Sequence, residues 1–132
     1  MKNIVLDTNF LMIPLQFKVD IFSEFDRICN FNYGLCIYQG SITELKNIIQ
    51  NQAGKGKKAA QFALKLIKLK NIKILKSGKK YVDSLILENL DENTIVATQD
   101  VILKRKLLEK NVSIVVLRQK KYLMLVERKI YK

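Results

Sequence analysis

The stretch TIVATQD, residues 94–100, decides the fold. Its first five residues are rich in β-branched side chains and predict a buried strand. The apolar positions Ile102, Leu103, Leu107 and Leu108 that follow have the spacing of an amphipathic helix. A strand, a polar turn and a helix in this order are typical of a parallel sheet whose strands are joined by helices.

The same alternation of strand and helix patterns extends over the rest of the chain. Further strands are predicted at IVLD (4–7), LCIYQ (35–39), IKILK (72–76) and SIVVL (113–117). Helical patterns begin near Ile21, Ser41, Ala59 and Val82, with a turn region around Pro14 and a polar hinge, NQAGKGKK, at 51–58. We predict an α/β fold, a three-layer α/β/α sandwich with a mainly parallel, Rossmann-like central sheet. This domain is expected to span residues 1–119, with a basic C-terminal tail at 120–132.

The composition excludes several classes of function. The 132 residues, 48% of them apolar, are enough for one hydrophobic core without disulfides, and Cys29 and Cys36 lie in apolar patterns that predict reduced core residues. The chain has no histidine, which removes imidazole general bases, serine and cysteine triads and histidine-bearing zinc sites. No apolar run is long enough to cross a bilayer and MKNIVLD is unlike a secretory signal, so we expect a cytoplasmic protein with no membrane partner.

The net charge of +12 is concentrated in the second half of the chain. Residues 55–132 hold 20 basic side chains against seven acids, whereas residues 1–54 hold four against five. A field this strong and one-sided suits a polyanion, of which nucleic acid is the commonest in cytoplasm. Genome bias or heat adaptation also enriches lysine, but glutamate should then rise with it and here does not. Polyanion binding is therefore the favoured interpretation.

Four acids stand at or just after the predicted strands. Asp7 ends the first strand, Glu44 lies in the first helical turn after the second, Asp83 opens the helix after the third, and Asp100 follows TIVAT. Because the carboxyl ends of parallel strands share one edge of a sheet, these side chains are expected to converge there. Crowded carboxylates repel each other, and a hard divalent cation such as Mg²⁺ or Mn²⁺ relieves that repulsion.

Each acid also has a purely local explanation. Ser41 and Glu44 have the S-x-x-E spacing of a helix capping box, and Asp83 and Asp100 are residues that favour the N-cap position. Asp7 with the two residues after it fits a turn. Capping explains each acid singly, but it does not explain why all four occur at strand ends in a strongly basic chain.

Four short motifs, in this order, resemble those of PIN-domain nucleases: DTN (7–9), S-x-T-E (41–44), DSLIL (83–87) and ATQD (97–100). Within that family the chain looks most like the archaeal relatives of the small-subunit processome nuclease that trims pre-ribosomal RNA. The segments that carry this closer likeness are DTNFLMIPLQFKVDIF (7–22), IVATQD (95–100) and LRQKKYL (117–123). Where those relatives often have two adjacent aspartates, this chain has Asp83 followed by Ser84.

The resemblance implies a PIN-like fold and a specific chemistry. The activity would be that of a metal-dependent endoribonuclease that hydrolyses RNA phosphodiester bonds, most closely in ribosomal RNA processing. The catalytic ligands of Mg²⁺ or Mn²⁺ would be Asp7, Glu44, Asp83 and Asp100. The expected partners are RNA, either pre-ribosomal or otherwise structured, and pre-ribosomal particles. Because PIN domains frequently pair, a homodimer is an open expectation as well.

Other positions match supporting roles. Polar family positions that orient ligands or a water correspond to Thr8, Asn9 and Thr98, for which ordinary turn hydrogen bonds are an equally good explanation. Basic residues expected to grip RNA phosphates are Lys55, Lys57, Lys58, Lys79, Lys80, Arg105, Arg118, Lys120 and Lys121.

Three other functions fit parts of the pattern. A toxin ribonuclease of the VapC type shares the implied fold and acids, although Pro14 and the RQKKYL segment favour the processing enzyme. A non-catalytic RNA-binding or ribosome-assembly module would keep the acids only as helix caps. A receiver-type signalling domain also places acids at strand ends, but it needs paired acids directly after the opening strand, which this chain lacks.

Overall fold

A six-stranded sheet forms the centre of the molecule in a computed structural model that describes residues 1–128. The strands are β1 (Lys2–Leu6), β2 (Tyr33–Tyr38), β3 (Lys73–Leu75), β4 (Thr94–Ala97), β5 (Ser113–Arg118) and β6 (Tyr122–Val126). Their order across the sheet is β3-β2-β1-β4-β5-β6, and every neighbouring pair is parallel except β5 and β6. The predicted α/β fold with a mainly parallel sheet is confirmed.

Helices lie on both faces of this sheet. A 3₁₀ helix (Thr8–Met12) is followed by α1 (Ile13–Phe17), α2 (Ile21–Ile28), α3 (Gln39–Asn51), α4 (Gly54–Leu69), α5 (Val82–Glu88) and α6 (Val101–Glu109). Successive strand residues face opposite sides, so Ile4 and Leu6 pack with the 3₁₀ helix and α1–α4, and Val5 packs with α5 and α6. Within residues 1–128, each helix is too short or too polar to span a lipid bilayer.

The turn region predicted around Pro14 is helical instead. The 3₁₀ helix and α1 run from Thr8 to Phe17, and Pro14 lies in the first turn of α1, where its missing N–H costs no helical hydrogen bond. Residues 10–13 are four successive apolar side chains, all of them buried. A run that is apolar on every side carries no helical periodicity, which is why the pattern did not indicate a helix.

The polar hinge predicted at 51–58 is also mostly helical. α3 continues to Asn51, and α4 begins at Gly54, whose φ of 64° suits a glycine. Ala59, Ala60 and Ala63 are the first buried side chains of α4. The apolar pattern therefore revealed only the later turns of this helix, because its first turn projects lysines and glycines away from the core.

The segment 120–132, predicted as a basic tail, contributes a strand to the sheet. In β6, Leu123 is buried opposite its β5 partner Leu117. The turn before β6 holds Gln119 and Lys120 in the left-handed region, at φ of 53° and 55°. Glycine or asparagine usually marks such a hairpin turn, so these residue types gave no signal for one. The last four residues of the segment, 129–132, lie outside the described part of the chain.

Two charged residues of α2 cover part of the outer edge of β6. Glu24 Oε1 accepts the N–H of Leu123 at 2.9 Å, and the Arg27 guanidinium donates to the Leu123 carbonyl at 2.9 Å. Glu24 and Arg27 also pair with each other, with 2.9 Å between Nε and Oε2. Together they supply the hydrogen bonds that a further strand would otherwise make with Leu123.

Candidate active site

The sheet places the first predicted acid beside β4. Asp7 directly follows β1, and its backbone N–H donates to the carbonyl of Ala97, the last residue of β4, at 2.9 Å. One carboxylate oxygen of Asp7 accepts a hydrogen bond from the Thr98 hydroxyl at 2.8 Å, and the other accepts one from the Thr8 N–H at 2.9 Å. Asp7 is only 5% exposed. The pairing of β1 with β4 thus builds a hydrogen-bonded group from residues distant in sequence.

Burial makes the negative charge of Asp7 costly. It raises the pKa of this carboxyl from 3.8 to about 6, and the nearby charges of Asp83 and Glu44 add to the rise. The hydrogen bonds from Thr98 and Thr8 act in the opposite direction, because they stabilise the ionised form. Asp7, Asp83 and Glu44 are therefore electrostatic neighbours, although they come from three separate segments of the chain.

Glu44, on α3, is held by a short chain of hydroxyl groups. Thr8 Oγ1 is 2.5 Å from Glu44 Oε2 and 2.7 Å from Ser41 Oγ, and Thr8 and Ser41 are both buried. A carboxylate can only accept, so the Thr8 proton points to Glu44 and Ser41 donates its own proton to Thr8. Thr8 therefore contacts Asp7 through its backbone and Glu44 through its side chain.

The capping box that was the local explanation for Glu44 does not form. α3 begins at Gln39, so Ser41 is an internal residue of the helix, and its hydroxyl contacts Thr8 and not the end of the helix. The S-x-x-E spacing was a correct signal that these two residues belong together. The capping-box spacing pairs Ser41 and Glu44 with the end of their own helix, whereas both side chains contact Thr8. A different segment of the chain contacts the start of α3.

That contact joins the start of α3 to the start of α5. The backbone N–H of Gly40 donates to the hydroxyl of Ser77, in the loop after β3, at 2.7 Å. A Cβ on Gly40 would lie 2.9 Å from a methyl carbon of Val82, the first residue of α5, so this approach requires glycine. Because Asp83 follows Val82, the contact brings its segment next to the helix that carries Glu44.

Asp83 is the second residue of α5, and Tyr81 occupies the N-cap position, so the capping explanation for Asp83 is wrong. Partial burial raises the pKa of Asp83, and the charge of Asp100 raises it further. Lys106 acts in the opposite direction, although the sequence gave no reason to single it out. The charge of Asp83 thus acts on Asp7, and the charge of Asp100 acts on Asp83.

For Asp100 the capping explanation is correct. Its side chain accepts the N–H of Leu103 at 2.9 Å at the start of α6. Its own N–H donates to Thr98 Oγ1 at 3.0 Å, and the same hydroxyl donates to Asp7. A capping role and a place in the acid group are therefore compatible, because one carboxylate has two oxygens and about four lone-pair directions.

The four acids offer only carboxylate oxygens, the type of donor that Mg²⁺ and Mn²⁺ prefer. The two ion pairs shown within residues 1–128, Glu24–Arg27 and Lys80–Glu88, lie elsewhere. No three acids or cysteines of the described residues already stand in metal-holding geometry. A shared ion therefore requires a rearrangement of the acid side chains from the positions they have here.

The three polar residues predicted to support the acids lie at the same edge of the sheet. Thr8 and Thr98 contact the acids directly, as described above. Asn9 is exposed in the 3₁₀ helix, and its backbone carbonyl accepts a hydrogen bond from Gln99 Nε2 at 3.1 Å. The side chain of Asn9 lines a cleft that also contains Asp100.

The nine basic residues predicted to contact RNA are all exposed, but they are spread over the surface. Three of them are in the first turns of α4, beside Gly56, which lines the cleft of Asp100: Lys55, Lys57 and Lys58. The others lie before α5 (Lys79, Lys80), along a depression between α6 and β5 (Arg105, Arg118) and in the β5–β6 turn (Lys120, Lys121). Lys80 is paired with Glu88 at 2.8 Å.

The raised pKa of Asp7 makes the stability of the fold depend on pH. Between about pH 4 and 6 the folded chain holds this proton and the unfolded chain has lost it, so unfolding releases a proton and stability falls as the pH rises. We therefore expect Asp7→Asn, without divalent ions, to exceed the wild type in unfolding free energy at about pH 7 by up to about 3 kcal/mol.

Urea denaturation of both proteins in the presence of a chelator, at about pH 4 and about pH 7, measures this difference. Asp91→Asn is the control, because the hydrogen bond from Thr94 lowers the pKa of Asp91 and its carboxylate should therefore change stability with pH in the opposite direction to that of Asp7. The stability lost in Asp91→Asn should be greater at the higher pH. A gain from Asp7→Asn that is the same at both pH values would contradict the raised pKa.

Comparison with known proteins identifies the family. A family model described as a PIN-like domain matches residues 4–120. Ribonuclease VapC4 of Methanocaldococcus jannaschii is 38% identical over 124 residues, which cover 92% of this chain and 95% of that protein. The structure of the PIN domain endonuclease Utp24 matches with a TM-score of 0.76 at 22% identity, over 97% of this chain and 92% of that one.

A domain of a functionally unknown protein from Methanocaldococcus jannaschii matches with a TM-score of 0.54 at 15% identity, over 100% of this chain and 98% of that one. The two structural likenesses establish the fold alone. The family model and the sequence relative each cover most of the chain, which confirms the family that the four motifs indicated. This chain belongs to the family of PIN-like domains.

Proposed function

We propose that this protein is a metal-dependent endoribonuclease. The observation that carries the proposal is the buried carboxylate of Asp7, whose pKa is raised by burial and by the charges of Asp83 and Glu44. A perturbed acid at the carboxyl edge of a parallel sheet favours a functional site over turn chemistry. Membership of the PIN-like family and the ribonuclease name of a 38% identical relative support RNA as the substrate.

In the proposed mechanism, Asp7, Glu44, Asp83 and Asp100 would hold the metal. When bound, Mg²⁺ or Mn²⁺ supplies a water of lowered pKa and offsets the charge that develops on the phosphate during an in-line displacement. The protein supplies the orientation of the ligands. Thr98 holds the Asp7 side chain and the Asp100 backbone together, and Thr8 couples Asp7 to Glu44.

The basic surface positions the RNA. Lys55, Lys57 and Lys58 are exposed at the start of α4, next to Gly56, which lines a cleft that also contains Asp100. Contacts from such residues to backbone phosphates fix the position of a strand without reading its sequence. The net charge of +12 adds a long-range attraction that speeds the encounter with a polyanion.

Within this activity, we propose ribosomal RNA processing in the cytoplasm as the role. The support is the likeness of segments 7–22, 95–100 and 117–123 to the archaeal relatives of the pre-ribosomal nuclease. A pre-ribosomal particle is then the proposed partner. The second candidate is a toxin ribonuclease, which is favoured by the 38% identity to Ribonuclease VapC4 over 92% of the chain.

Cleavage should depend on the acid group and on a divalent ion. With Mn²⁺, the wild type is expected to cut a labelled single-stranded RNA. The cleavage rate of Asp7→Asn should be lower by more than about a hundredfold, because this change removes a metal ligand itself and not only a residue that orients one. Mn²⁺ should also raise the midpoint of thermal unfolding of the wild type and not of the variant.

The matched control for this experiment is Glu92→Gln. Glu92 is an exposed acid that precedes β4, at the opposite edge of the sheet from Asp7. It should keep the activity of the wild type. Equal rates for wild type and Asp7→Asn, or no cleavage by either protein while both bind RNA, would favour a binding module.

Binding of RNA should weaken steeply with salt. Asp7→Asn, which separates binding from cleavage, is expected to lose affinity between roughly 50 and 200 mM salt as phosphate contacts release counterions. Replacing both Lys57 and Lys58 with glutamine should reduce the slope of log affinity against log salt by about 0.7 for each contact removed. Lys110→Gln, at the end of α6 away from the acids, should leave the slope unchanged. A flat salt response would contradict the phosphate contacts.

The identity of the RNA separates the two proposed roles. For the processing role, we expect purified protein to cut precursor ribosomal RNA at a defined site, and we expect its induced expression in a host cell to leave growth unchanged. A toxin should instead stop growth, in an Asp7-dependent way, and cut mature cellular RNA. Mapping of the 5′ ends generated by wild type and by Asp7→Asn decides between them.

A further inference from the structure

A cleft of about 440 Å³ opens beside the acid group and has no assigned role. Its lining residues come from the 3₁₀ helix and α1, from the end of α3 and the start of α4, and from the loop after β4, which contributes Asp100. Its lining contains four amide side chains and two apolar ones: Asn9, Gln16, Gln52, Gln99, Met12 and Ile48. We name it the amide cleft.

The lining is unsuited to a metal ion or a phosphate. Apart from Asp100, the side chains that line the amide cleft are neutral, and each of the four amides offers both a hydrogen-bond donor and an acceptor. The edges of nucleobases carry the same mixture of donors and acceptors. Met12 and Ile48 add an apolar surface, which suits the flat face of a base.

One of the amides is held in place by the fold. Gln99 Nε2 donates to the backbone carbonyl of Asn9 at 3.1 Å. This bond sets the orientation of the Gln99 amide, because the nitrogen faces Asn9 and the oxygen is directed away from it. The side-chain amide oxygen of Gln52, Oε1, lies so close to Gly56 that a Cβ on Gly56 would overlap it. Ordered amides discriminate between bases, because a mismatched base leaves a polar group unpaired.

We propose that the amide cleft binds one unpaired nucleobase of the RNA and gives the enzyme a base preference next to the cut. The inference rests on the proposed function, because Asp100 belongs both to the cleft and to the acid group that would cut the strand. A base of a single strand enters such a cleft without the unpairing and unstacking that a base in a helix must undergo. The enzyme then prefers single-stranded sites.

The test measures the relative kcat/KM for the four bases at each position flanking one cut, using a single-stranded RNA library randomised there. The wild type should prefer one base by roughly tenfold, as expected for an amide that makes a paired contact with a base edge. Gln16→Ala and Gln52→Ala should each reduce this preference to about twofold or less while the poorer substrates are cut at nearly the wild-type rate.

Two further variants make the comparison sharper. Gln50→Ala removes an exposed amide from α3 outside the cleft and should keep the full preference. Gly56→Ala leaves all four amides present but displaces the Gln52 side chain, so it should lower the preference as Gln52→Ala does. Because alanine favours the helix more than glycine does, a loss of preference in Gly56→Ala is not a loss of folding.

A binding arm keeps this inference separate from the proposed function. Asp7→Asn, alone and combined with Gln52→Ala, is titrated with short RNAs that differ in one base. A difference in affinity between bases that Gln52→Ala abolishes supports the amide cleft even if no cleavage is found. Cleavage by the wild type with an unchanged base profile in Gln16→Ala and Gln52→Ala would overturn the inference and leave the nuclease intact.

Discussion

The carboxylate of Asp7 is buried, and the rest of the site depends on the contacts that make its burial tolerable. An ionised carboxylate away from water is strongly disfavoured unless hydrogen bonds or opposite charges compensate it. Here the Thr98 hydroxyl and the Thr8 backbone amide partly stabilise the ionised carboxylate, whereas the charges of Asp83 and Glu44 destabilise it. The fold therefore holds a group in a less favourable state than water would give it. Such local costs concentrate where a protein has a chemical task.

The position of Asp7 follows from the order of the strands. β1 lies between β2 and β4, and the chain leaves it in one direction toward β2 and later returns on the other side to form β4. The crevice at such a reversal is where parallel sheets commonly bind ligands. Asp7 directly follows β1, and Thr98 directly follows β4, so the two sides of the crevice are joined by the hydrogen bond between these side chains.

Much of this arrangement could be predicted from local patterns. The strands, the amphipathic helices and the position of each acid after a strand are encoded within a few residues, and these positions select Asp7, Glu44, Asp83 and Asp100. Their convergence follows only from the general geometry of parallel sheets, and their role as metal ligands stays a prediction. The strand order that brings them together depends on pairings between residues far apart, which no local pattern encodes.

The errors have the same physical origin. The local alternative of a capping box for Ser41 and Glu44 is wrong, and a backbone N–H in the first turn of α3 is bonded instead by Ser77, 36 residues after Ser41. β6 was interpreted as part of a tail because its turn lacks glycine and asparagine. In both cases a tertiary contact decided the local structure. The amide cleft could not be found for a related reason, since its lining comes from three separate segments of the chain.

The hydrogen bonds that Glu24 and Arg27 make to Leu123 cover the β6 edge of the sheet, so the two edges of the sheet differ in how they are protected. A foreign strand that approaches β6 must first displace two satisfied contacts, whereas β3, at the opposite margin, shows no comparable cover within residues 1–128. β3 is only three residues long and begins with a lysine, and both properties discourage edge-to-edge aggregation. The β6 edge is thus protected because its hydrogen-bonding groups at Leu123 are already bonded, and the β3 edge because it is short and carries a lysine. Both features oppose the addition of a seventh strand from another molecule of this strongly cationic protein.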